Sequence, residues 1–361
     1  MPTPSIHQFV AGYAVADAIS NEVRLLQAIF QSWGAPSSDV FAERNRVDLD
    51  YRDSVKDIRE DIGLIKPTDI AILHLSIGCA ANQVFKDLPC KKVIRYHNIT
   101  PPDFFRGYNE QVVNVLEKGR VEIASLAHVA DLVLAVSQFN ADDLAAMGYP
   151  PATVFPLVLD FSTIRGKTSK RTVRTFSDGL TNILFVGRCA PNKRIEDLLD
   201  AFYYYQRYVN PSSRLIHAGS FAGADQYHVL LLARARELNL KNCLFVGSVP
   251  QLELNSYYQT AHVFLCMSEH EGFCVPLIEA MANNVPVAAY AAGAVPETMD
   301  GAGVLFHKKD YALIAETIHQ LATPTPLRSA VLAAQAARMA RFEHADLPAR
   351  LHSLLSPLFP A

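Results

Sequence analysis

Short apolar runs alternate with helix-forming segments along the whole chain, and this alternation restricts the possible folds most. Residues 6–10 are typical of a buried strand, and residues 18–33 are typical of the helix that follows it. Strands that alternate with helices in this way form parallel sheets covered by helices. The pattern starts again at 182–188, after a basic and weakly periodic segment. We therefore expect an α/β fold with two Rossmann-like domains, at 1–160 and 181–342, joined by a linker at 161–180 and followed by a C-terminal helix at 343–361.

Composition excludes several classes of protein. A chain of 361 residues is long enough for two cores. No apolar run is long enough to span a bilayer, and the first residues lack a basic region followed by an apolar core. The six cysteines form no CxxC pair, which favours reduced thiols and no metal framework. With a net charge of −3, nucleic acid is an unexpected partner. We expect a cytoplasmic protein with at most peripheral membrane association.

Residues 268–281 predict an anion site. An apolar run at 263–267 leads into Glu271 and Gly272, and Pro276 suits the first turn of a helix. A glycine-bearing turn before a helix N-terminus offers backbone N–H groups and a positive dipole end, which favour a phosphate. Glu279 lies about one helical turn further on, roughly 5 Å along the axis. It is flanked by apolar residues, so it requires a partner or a ligand. From the residues alone, it could equally bridge a neighbouring element.

A second phosphate-facing turn follows the strand at 182–186. Gly187 and Arg188 come directly after this strand, and Lys193 precedes the next helix. Two cations beside such a turn favour an anion. Gly219 and Val249 mark two further junctions between a strand and a turn.

The N-terminal half carries fewer signals. His97 follows the strand at 92–96, where open α/β sheets place ligands, although a hydrogen-bonded core histidine is the alternative. His74 also ends a strand and is expected in the core. Asp17 either caps the helix at 18–33 or meets an acceptor hydroxyl. The Asp48-Leu49-Asp50 motif could hold a divalent metal, but a polar segment precedes it, so we interpret it as a solvated face.

The two glutamates, in Glu-Gly-Phe-Cys-Val-Pro-Leu-Ile-Glu-Ala-Met, resemble the signature of the family 4 retaining glycosyltransferases. The resemblance implies the GT-B fold, in which two Rossmann-like domains face a central cleft and the C-terminal helix packs back on the N-terminal domain. It also implies that Glu271 lies by the hydroxyls of the donor sugar and that Glu279 binds the nucleotide ribose. Cys274 stands where the family usually has glycine.

The same resemblance assigns roles elsewhere in the chain. Arg188 and Lys193 would contact the donor diphosphate, Gly12 would reach toward its phosphates, and His97 would lie beside the donor sugar. The catalytic group would be His97, Arg188, Lys193 and Glu271. The donor-binding residues would be Gly12, Gly187, Arg188, Lys193, Gly219, Val249, Glu271, Gly272, Phe273, Cys274, Val275 and Glu279. With two cations to neutralise the leaving group, neither a metal nor a cofactor is expected.

The resemblance therefore implies a metal-independent retaining glycosyltransferase that uses a UDP- or GDP-sugar and a front-face mechanism. A glycan or a lipid-linked oligosaccharide would be the acceptor. Two alternatives stay open: a GT-B-type sugar-nucleotide epimerase, and a non-catalytic protein that binds sugar nucleotides. A nicotinamide dehydrogenase is less favoured, because no strand is followed by G-x-G-x-x-G with an acid about 20 residues on.

Overall fold

The computed structural model describes residues 3–15 and 17–360 and divides into two compact units. Unit 1 comprises Met1–Pro102, Asn114–Leu159 and Ala345–Ala361, and unit 2 comprises Asp103–Val113 and Asp160–His344. Each unit is built on one parallel sheet, so the prediction of two Rossmann-like α/β domains is confirmed.

The strands of the described residues are, in chain order, β1 (Ile6–Val10), β2 (Val40–Ala42), β3 (Val55–Asp57), β4 (Ile70–Leu75), β5 (Lys91–Tyr96), β6 (Leu132–Ala135), β7 (Thr153–Val154), β8 (Thr181–Val186), β9 (Ser213–Ala218), β10 (Cys243–Gly247), β11 (Val263–Cys266), β12 (Val287–Tyr290) and β13 (Val304–Phe306).

The α-helices of the described residues are α1 (Ala18–Ser32), α2 (Ala80–Lys86), α3 (Glu110–Ser125), α4 (Gln138–Ala146), α5 (Phe161–Ile164), α6 (Lys170–Phe176), α7 (Ile195–Tyr204), α8 (Asp225–Glu237), α9 (Gln251–Thr260), α10 (Val275–Ala282), α11 (Val295–Met299), α12 (Tyr311–Ala322), α13 (Pro326–Glu343) and α14 (Leu347–Leu355). Shorter 3₁₀ helices cover Arg44–Arg46, Leu49–Tyr51, Ile62–Leu64, Pro102–Phe105, Pro191–Lys193 and Ser356–Leu358, and a π-helical turn covers Tyr205–Val209.

The sheet of unit 1 has the strand order β3-β2-β1-β4-β5-β6-β7, with every pair parallel. The chain direction across the sheet reverses between β1 and β4, which is where doubly wound sheets place ligands, at the carboxyl ends of the strands. β1 and β4 are buried along their full length, as expected for central strands of a sheet covered on both faces. Helix α14 buries Leu347, Leu351 and Leu355 in the core of this unit, where the sequence placed the C-terminal helix.

The sheet of unit 2 has the strand order β10-β9-β8-β11-β12-β13, again with every pair parallel. The direction reverses between β8 and β11. The two stretches that the sequence analysis singled out, 187–193 and 268–279, follow these two strands directly. Topology therefore brings both stretches to the carboxyl edge of one sheet, at its reversal point.

The expected linker at 161–180 is corrected by the structure, which places this segment in unit 2 as two short helices. Asp160 caps α5 and Ser169 caps α6, each by accepting hydrogen bonds from backbone N–H groups of the first turn. Asn255 on α9 donates to the carbonyl of Thr163 at 3.0 Å, so the segment is fixed to the unit. The segment shows no extended hydrophobic periodicity because its two helices are short and half exposed. It is not a free linker.

Smaller differences concern the sheet edges. Edge strand β3 was missed, because it lies inside the polar segment at 44–61. Edge strand β7 is short and covers Thr153–Val154. Asp17 caps α1 by accepting from the Ser20 N–H. None of the described helices combines the length and the apolar character needed to cross a bilayer.

Candidate functional site

Lys193 and Glu271 contact one another at the reversal point of the sheet of unit 2. Lys193 ends a 3₁₀ turn after β8, and its Nζ lies 2.7 Å from both carboxylate oxygens of Glu271. The Glu271 side chain is 8% exposed and that of Lys193 is 20% exposed. Burial acts to lower the pKa of Lys193, but the Glu271 carboxylate outweighs burial, so the pKa is raised and the ammonium stays charged.

The loops that carry these two residues are joined by backbone contacts. Asn192 donates its side-chain amide to the carbonyl of His270 at 3.0 Å, and its own carbonyl accepts from Glu269 N–H at 2.9 Å. Asn192 is buried. These bonds hold the loop after β8 against the loop after β11, so the ion pair sits on a fixed backbone.

Glycine 293 supports the Glu271 loop from the other side. The carbonyl of Glu271 accepts from Ala294 N–H at 2.9 Å, and Gly293 has a φ of +55°. A Cβ at position 293 would lie 2.6 Å from the carbonyl oxygen of Glu271 and 2.9 Å from its nitrogen. Only glycine therefore fits this backbone approach.

Helix α10 begins directly after the Glu271 loop. Cys274 precedes it in the left-handed conformation, with a φ of 69°, and Pro276 lies in its first turn. This conformation normally suits glycine and costs a residue with a side chain about 1 to 2 kcal/mol. Phe273 and Cys274 are buried, whereas Gly272 and Val275 are half-buried. The N-terminus of α10 thus follows Glu271 in the way the sequence predicted, although position 274 carries a thiol.

Glu279 lies on α10 and is partly buried. Its Oε2 accepts a hydrogen bond from the Tyr258 hydroxyl at 2.7 Å. Burial raises the pKa of Glu279, and the hydrogen bond from Tyr258 opposes that rise. Glu279 does bridge a neighbouring helix, as the structural alternative proposed, and among residues 3–15 and 17–360 its other carboxylate oxygen makes no hydrogen bond. Tyr258 had no signal in the sequence, because it lies on a different helix 21 residues away.

Arg188 is exposed and follows β8 directly. Within residues 3–15 and 17–360, its guanidinium makes no hydrogen bond or ion pair, which contrasts with the paired Lys193. Gly219, after β9, approaches the same turn: a Cβ there would lie 1.8 Å from the carbonyl oxygen of Gly187. The loop after β10 carries the half-buried Val249. Because Gly219 has no side chain, it can lie directly against the turn that bears Arg188.

A charged network that the sequence analysis missed lies beside this site. Lys309 contacts the carboxylates of both Asp197 and Glu269, and Asp197 also accepts from the Tyr311 hydroxyl at 2.7 Å. Arg194 joins the network through Asp197 at 3.1 Å. Burial raises the pKa of Asp197, but its hydrogen bonds outweigh burial and lower it, so the carboxylate stays charged. The network also joins Arg194, which follows Lys193, to Glu269, which lies two residues before Glu271.

His97 and Gly12 lie in unit 1. The backbone N–H of His97 donates to the carbonyl of Leu75 at 2.9 Å, so His97 extends the pairing of β5 with β4. Its ring stacks on His74, with centroids 5.1 Å apart, and the two side chains share a hydrogen bond of 2.9 Å. Gly12 lies against Arg46, whose carbonyl oxygen would be 3.1 Å from an added Cβ. Asp48 of the DxD motif accepts from Val15 N–H at 2.9 Å, which is a structural role.

Two groups of described residues bring together atoms that could ligate a metal: Glu22 with His74 and His97, and Cys266 with Glu271 and Cys274. In each group the carboxylate already has a cationic partner, Arg95 for Glu22 and Lys193 for Glu271. A metal in either group would therefore have to displace an ion pair, and we assign neither as a metal site.

A segment of unit 2 matches a known protein family. Residues 167–337 match a family model described as glycosyl transferases group 1. The matched residues lie entirely within unit 2 and include Lys193, Glu271 and Glu279.

Curated relatives align over part of the chain. The O-antigen chain mannosyltransferase B of Escherichia coli is 30% identical over 138 residues, which are 38% of this chain and 35% of the relative. A GDP-mannose-dependent alpha-mannosyltransferase of Mycobacterium tuberculosis is 29% identical over 171 residues, 46% of this chain and 41% of the relative. The chain thus spans well under half the length of the curated relatives that it matches.

Solved structures align over nearly the whole chain at low identity. HepE of Anabaena, in complex with UDP-glucose, has a TM-score of 0.77 and 17% identity, covering 98% of this chain and 99% of that one. Sucrose-phosphate synthase of Thermosynechococcus elongatus has a TM-score of 0.74 and 18% identity, with the same coverage. The fold is that of the GT-B glycosyltransferases.

Proposed function

We propose that this protein is a retaining glycosyltransferase that moves a hexose from a UDP- or GDP-sugar to a hydroxyl of a glycan or lipid-linked acceptor. The observation that carries the proposal is the Lys193–Glu271 contact at the reversal point of the unit 2 sheet, beside the exposed Arg188. The match of residues 167–337 to glycosyl transferases group 1 supports it. So do the relatives named as mannosyltransferases.

In this proposal, Arg188 and Lys193 neutralise the donor diphosphate. Arg188 has no partner to give up within the described residues, whereas Lys193 exchanges the Glu271 carboxylate for a phosphate oxygen. Cations already fixed where negative charge develops supply the electrostatic stabilisation that usually dominates such reactions. With these cations in place the reaction proceeds without a metal.

The two glutamates orient the sugars of the donor. Once Lys193 has turned to the phosphate, the Glu271 oxygens accept hydrogen bonds from hexose hydroxyls. Glu279 keeps one oxygen on Tyr258 and accepts from the ribose with the other. Interactions remote from the reacting carbon thereby fix its orientation.

The reaction breaks the bond between the anomeric carbon and the phosphate oxygen and forms a bond to the acceptor oxygen on the same face of the sugar. The electron pair of the broken bond goes to the leaving diphosphate. The acceptor hydroxyl gives its proton to the phosphate oxygen that leaves, so no separate base is required. This front-face route explains retention without a second carboxylate. It also leaves Glu271 as a hydrogen-bond acceptor rather than a nucleophile.

GDP-mannose is the first donor to test, because two of the relatives are named as mannosyltransferases and one as GDP-mannose-dependent. The assay measures free GDP in the presence of EDTA and a panel of glycan acceptors, with UDP-glucose as the parallel donor. NMR of the product gives the anomeric configuration. Acceptor-dependent release of the nucleotide with an α-linked product from an α-linked donor supports the proposal. Inversion, an absolute requirement for metal, or interconversion of sugar nucleotides without an acceptor contradicts it.

A further inference from the structure

A chain of hydrogen bonds crosses the centre of the unit 1 sheet and ends on His97. Gln8 on β1 lies two residues from the position that pairs with His74 on β4. Gln8 Oε1 is 3.0 Å from His74 Nε2, and His74 Nδ1 is 2.9 Å from His97 Nε2. Gln8 and His74 are buried, with exposed fractions of 0% and 1%. Water therefore does not compete for these hydrogen bonds.

The amide of Gln8 determines which atom donates and which accepts in this series of hydrogen bonds. Its Nε2 donates to the backbone carbonyl of Val23 at 3.0 Å. A carbonyl oxygen only accepts, so the opposite amide orientation would place two oxygens against each other. Gln8 must therefore turn its Oε1 toward His74, and His74 must carry its proton on Nε2.

The same order of donors and acceptors continues from His74 to His97. A neutral imidazole with a proton on Nε2 has a lone pair on Nδ1. His74 Nδ1 is then an acceptor, and the 2.9 Å contact requires that His97 carry its proton on Nε2. We propose that Gln8 and His74 are positioning residues that hold His97 in the Nε2–H tautomer, with its Nδ1 lone pair presented to a substrate hydroxyl.

The charges around His97 favour the same tautomer. Glu22 Oε2 lies 3.7 Å from His97 Nε2 and places negative charge beside the proposed proton. Glu22 is itself held by Arg95 at 2.7 Å and by Val158 N–H at 3.1 Å. Arg95 and Glu22 are the charged groups that face the pair. Burial, aided by Arg95, lowers the pKa of His74 to about 3. Burial, aided by His74 and Arg95, lowers the pKa of His97 well below its usual value, so both rings are neutral near pH 7.

Nδ1 is the His97 ring nitrogen that lies outside this chain of hydrogen bonds, on a side chain that is 5% exposed. Within the described residues, Nδ1 of His97 makes no hydrogen bond, while Nε2 is committed to His74. A neutral ring with a free lone pair accepts from a hydroxyl and does not serve as a cationic partner for phosphate. This assignment rests on the proposed function for the identity of the ligand, a sugar hydroxyl, but the tautomer itself does not depend on that function.

The test is long-range ¹H–¹⁵N NMR of the histidine-labelled chain at pH 7, with the His97 signals identified by their loss in His97→Asn. We expect a protonated, pyrrole-like Nε2 and an unprotonated, pyridine-like Nδ1 on both His74 and His97. A protonated Nδ1 on His97, or a doubly protonated ring, overturns the inference. Because this measurement uses the wild-type chain, it stands even where a variant fails to fold.

Two variants test whether Gln8 sets the tautomer. Gln8→Met removes the acceptor for His74, and we expect a new His97 population with its proton on Nδ1. Gln27→Met is the matched control, because Gln27 lies on α1 and also donates to a backbone carbonyl, that of Ser38, without contacting the histidines. His97 signals that are unchanged in Gln8→Met, or that change equally in Gln27→Met, overturn the role of Gln8.

Two additions separate this inference from its alternatives. GDP-mannose should move the Nδ1 signal of His97, whereas GDP alone should not. If calorimetry shows binding of GDP-mannose but Nδ1 does not respond, the substrate contact is wrong. If no sugar nucleotide binds, the proposed function fails while the tautomer measurement still decides the positioning role. Zn²⁺ added to EDTA-treated protein should leave the His97 signals in place. A shift of the ring-nitrogen signals of both His74 and His97 would instead indicate a metal site formed by Glu22, His74 and His97.

Discussion

Replacing Lys193 with methionine removes the positive charge from a contact that is almost fully buried. The Lys193 Nζ lies 2.7 Å from both oxygens of Glu271, whose side chain is 8% exposed. Two unit charges about 4 Å apart attract by about 4 kcal/mol at an effective dielectric constant of about 20. Removing one partner of a buried pair costs about 3 to 5 kcal/mol, because the other charge stays buried without compensation. The 20% exposure of Lys193 places our expectation near the lower end, at about 3 kcal/mol.

The double variant separates the ion pair from the packing of the lysine stem. In Lys193→Met with Glu271→Gln, no charge is left uncompensated, and neutral replacements of a buried pair are often tolerated. We expect the double variant to recover most of the loss, with a coupling free energy of about 2 kcal/mol. Lys241→Met is the matched control, because Lys241 lies in the same unit and its Nζ donates to the exposed Asn239 side chain and makes no ion pair within the described part of the chain.

The assay is urea unfolding followed by far-UV circular dichroism, with fluorescence of Trp33, the single tryptophan, as a separate reporter of unit 1. Multidomain chains need such separate probes, since one free energy does not describe them. A single variant Lys193→Met as stable as Lys241→Met, or a double variant that loses the sum of both single losses, would refute the assignment of Lys193 and Glu271 as a buried pair.

Three other contacts have measurable consequences. Gly293→Ala should destabilise unit 2 by about 2 to 5 kcal/mol, since it adds a Cβ 2.6 Å from the Glu271 carbonyl at positive φ. The control Gly301→Ala, at a φ of +81° with nothing within 4 Å of the added Cβ, should cost only about 1 kcal/mol. Equal losses of stability in the two variants, measured by calorimetry, would rule out the clash. Tyr258→Phe should raise the pKa of Glu279, since it removes a hydrogen bond to the charged form. When donor binding is measured by calorimetry as the pH is lowered, the variant should therefore begin to lose affinity at a higher pH than the wild type. As the pH falls from 6.5 to about 4, unfolded His74 binds a proton and folded His74 does not, so His74 alone should lower the unfolding free energy of unit 1 by about 1.4 kcal/mol per pH unit. In His74→Phe the slope should be smaller by at least that amount, and the same slope in both proteins would contradict the low pKa.

The sequence could predict that Glu271 and Lys193 lie near one another because their signals are local. Glu271 and Lys193 each follow an apolar strand within a few residues, and parallel topology brings such positions to one sheet edge. Tyr258 and Lys309 escaped prediction because they reach the site from α9 and from the segment after β13, and nothing in their own neighbourhoods marks them. Cys274 was recognised as a departure from glycine, but its left-handed conformation needed coordinates.

Unit 1 was harder for a physical reason. His74 and Gln8 are 66 residues apart and meet only because β4 pairs with β1, so the default expectation of a core histidine concealed its contact with His97. The helices in 161–180 were missed although Asp160 and Ser169 are typical N-cap residues. In this segment the N-cap residues indicate the helices, whereas hydrophobic periodicity does not.

Hydrogen–deuterium exchange with mass spectrometry tests the central claim most directly, because it locates the donor on the chain. At saturating GDP-mannose or UDP-glucose, we expect protection of the peptides that carry 187–193 and 268–279 in wild type, and no protection in Lys193→Met at the same concentration. Binding that protects other strand ends of unit 2 and leaves both of these peptides unchanged would contradict the account.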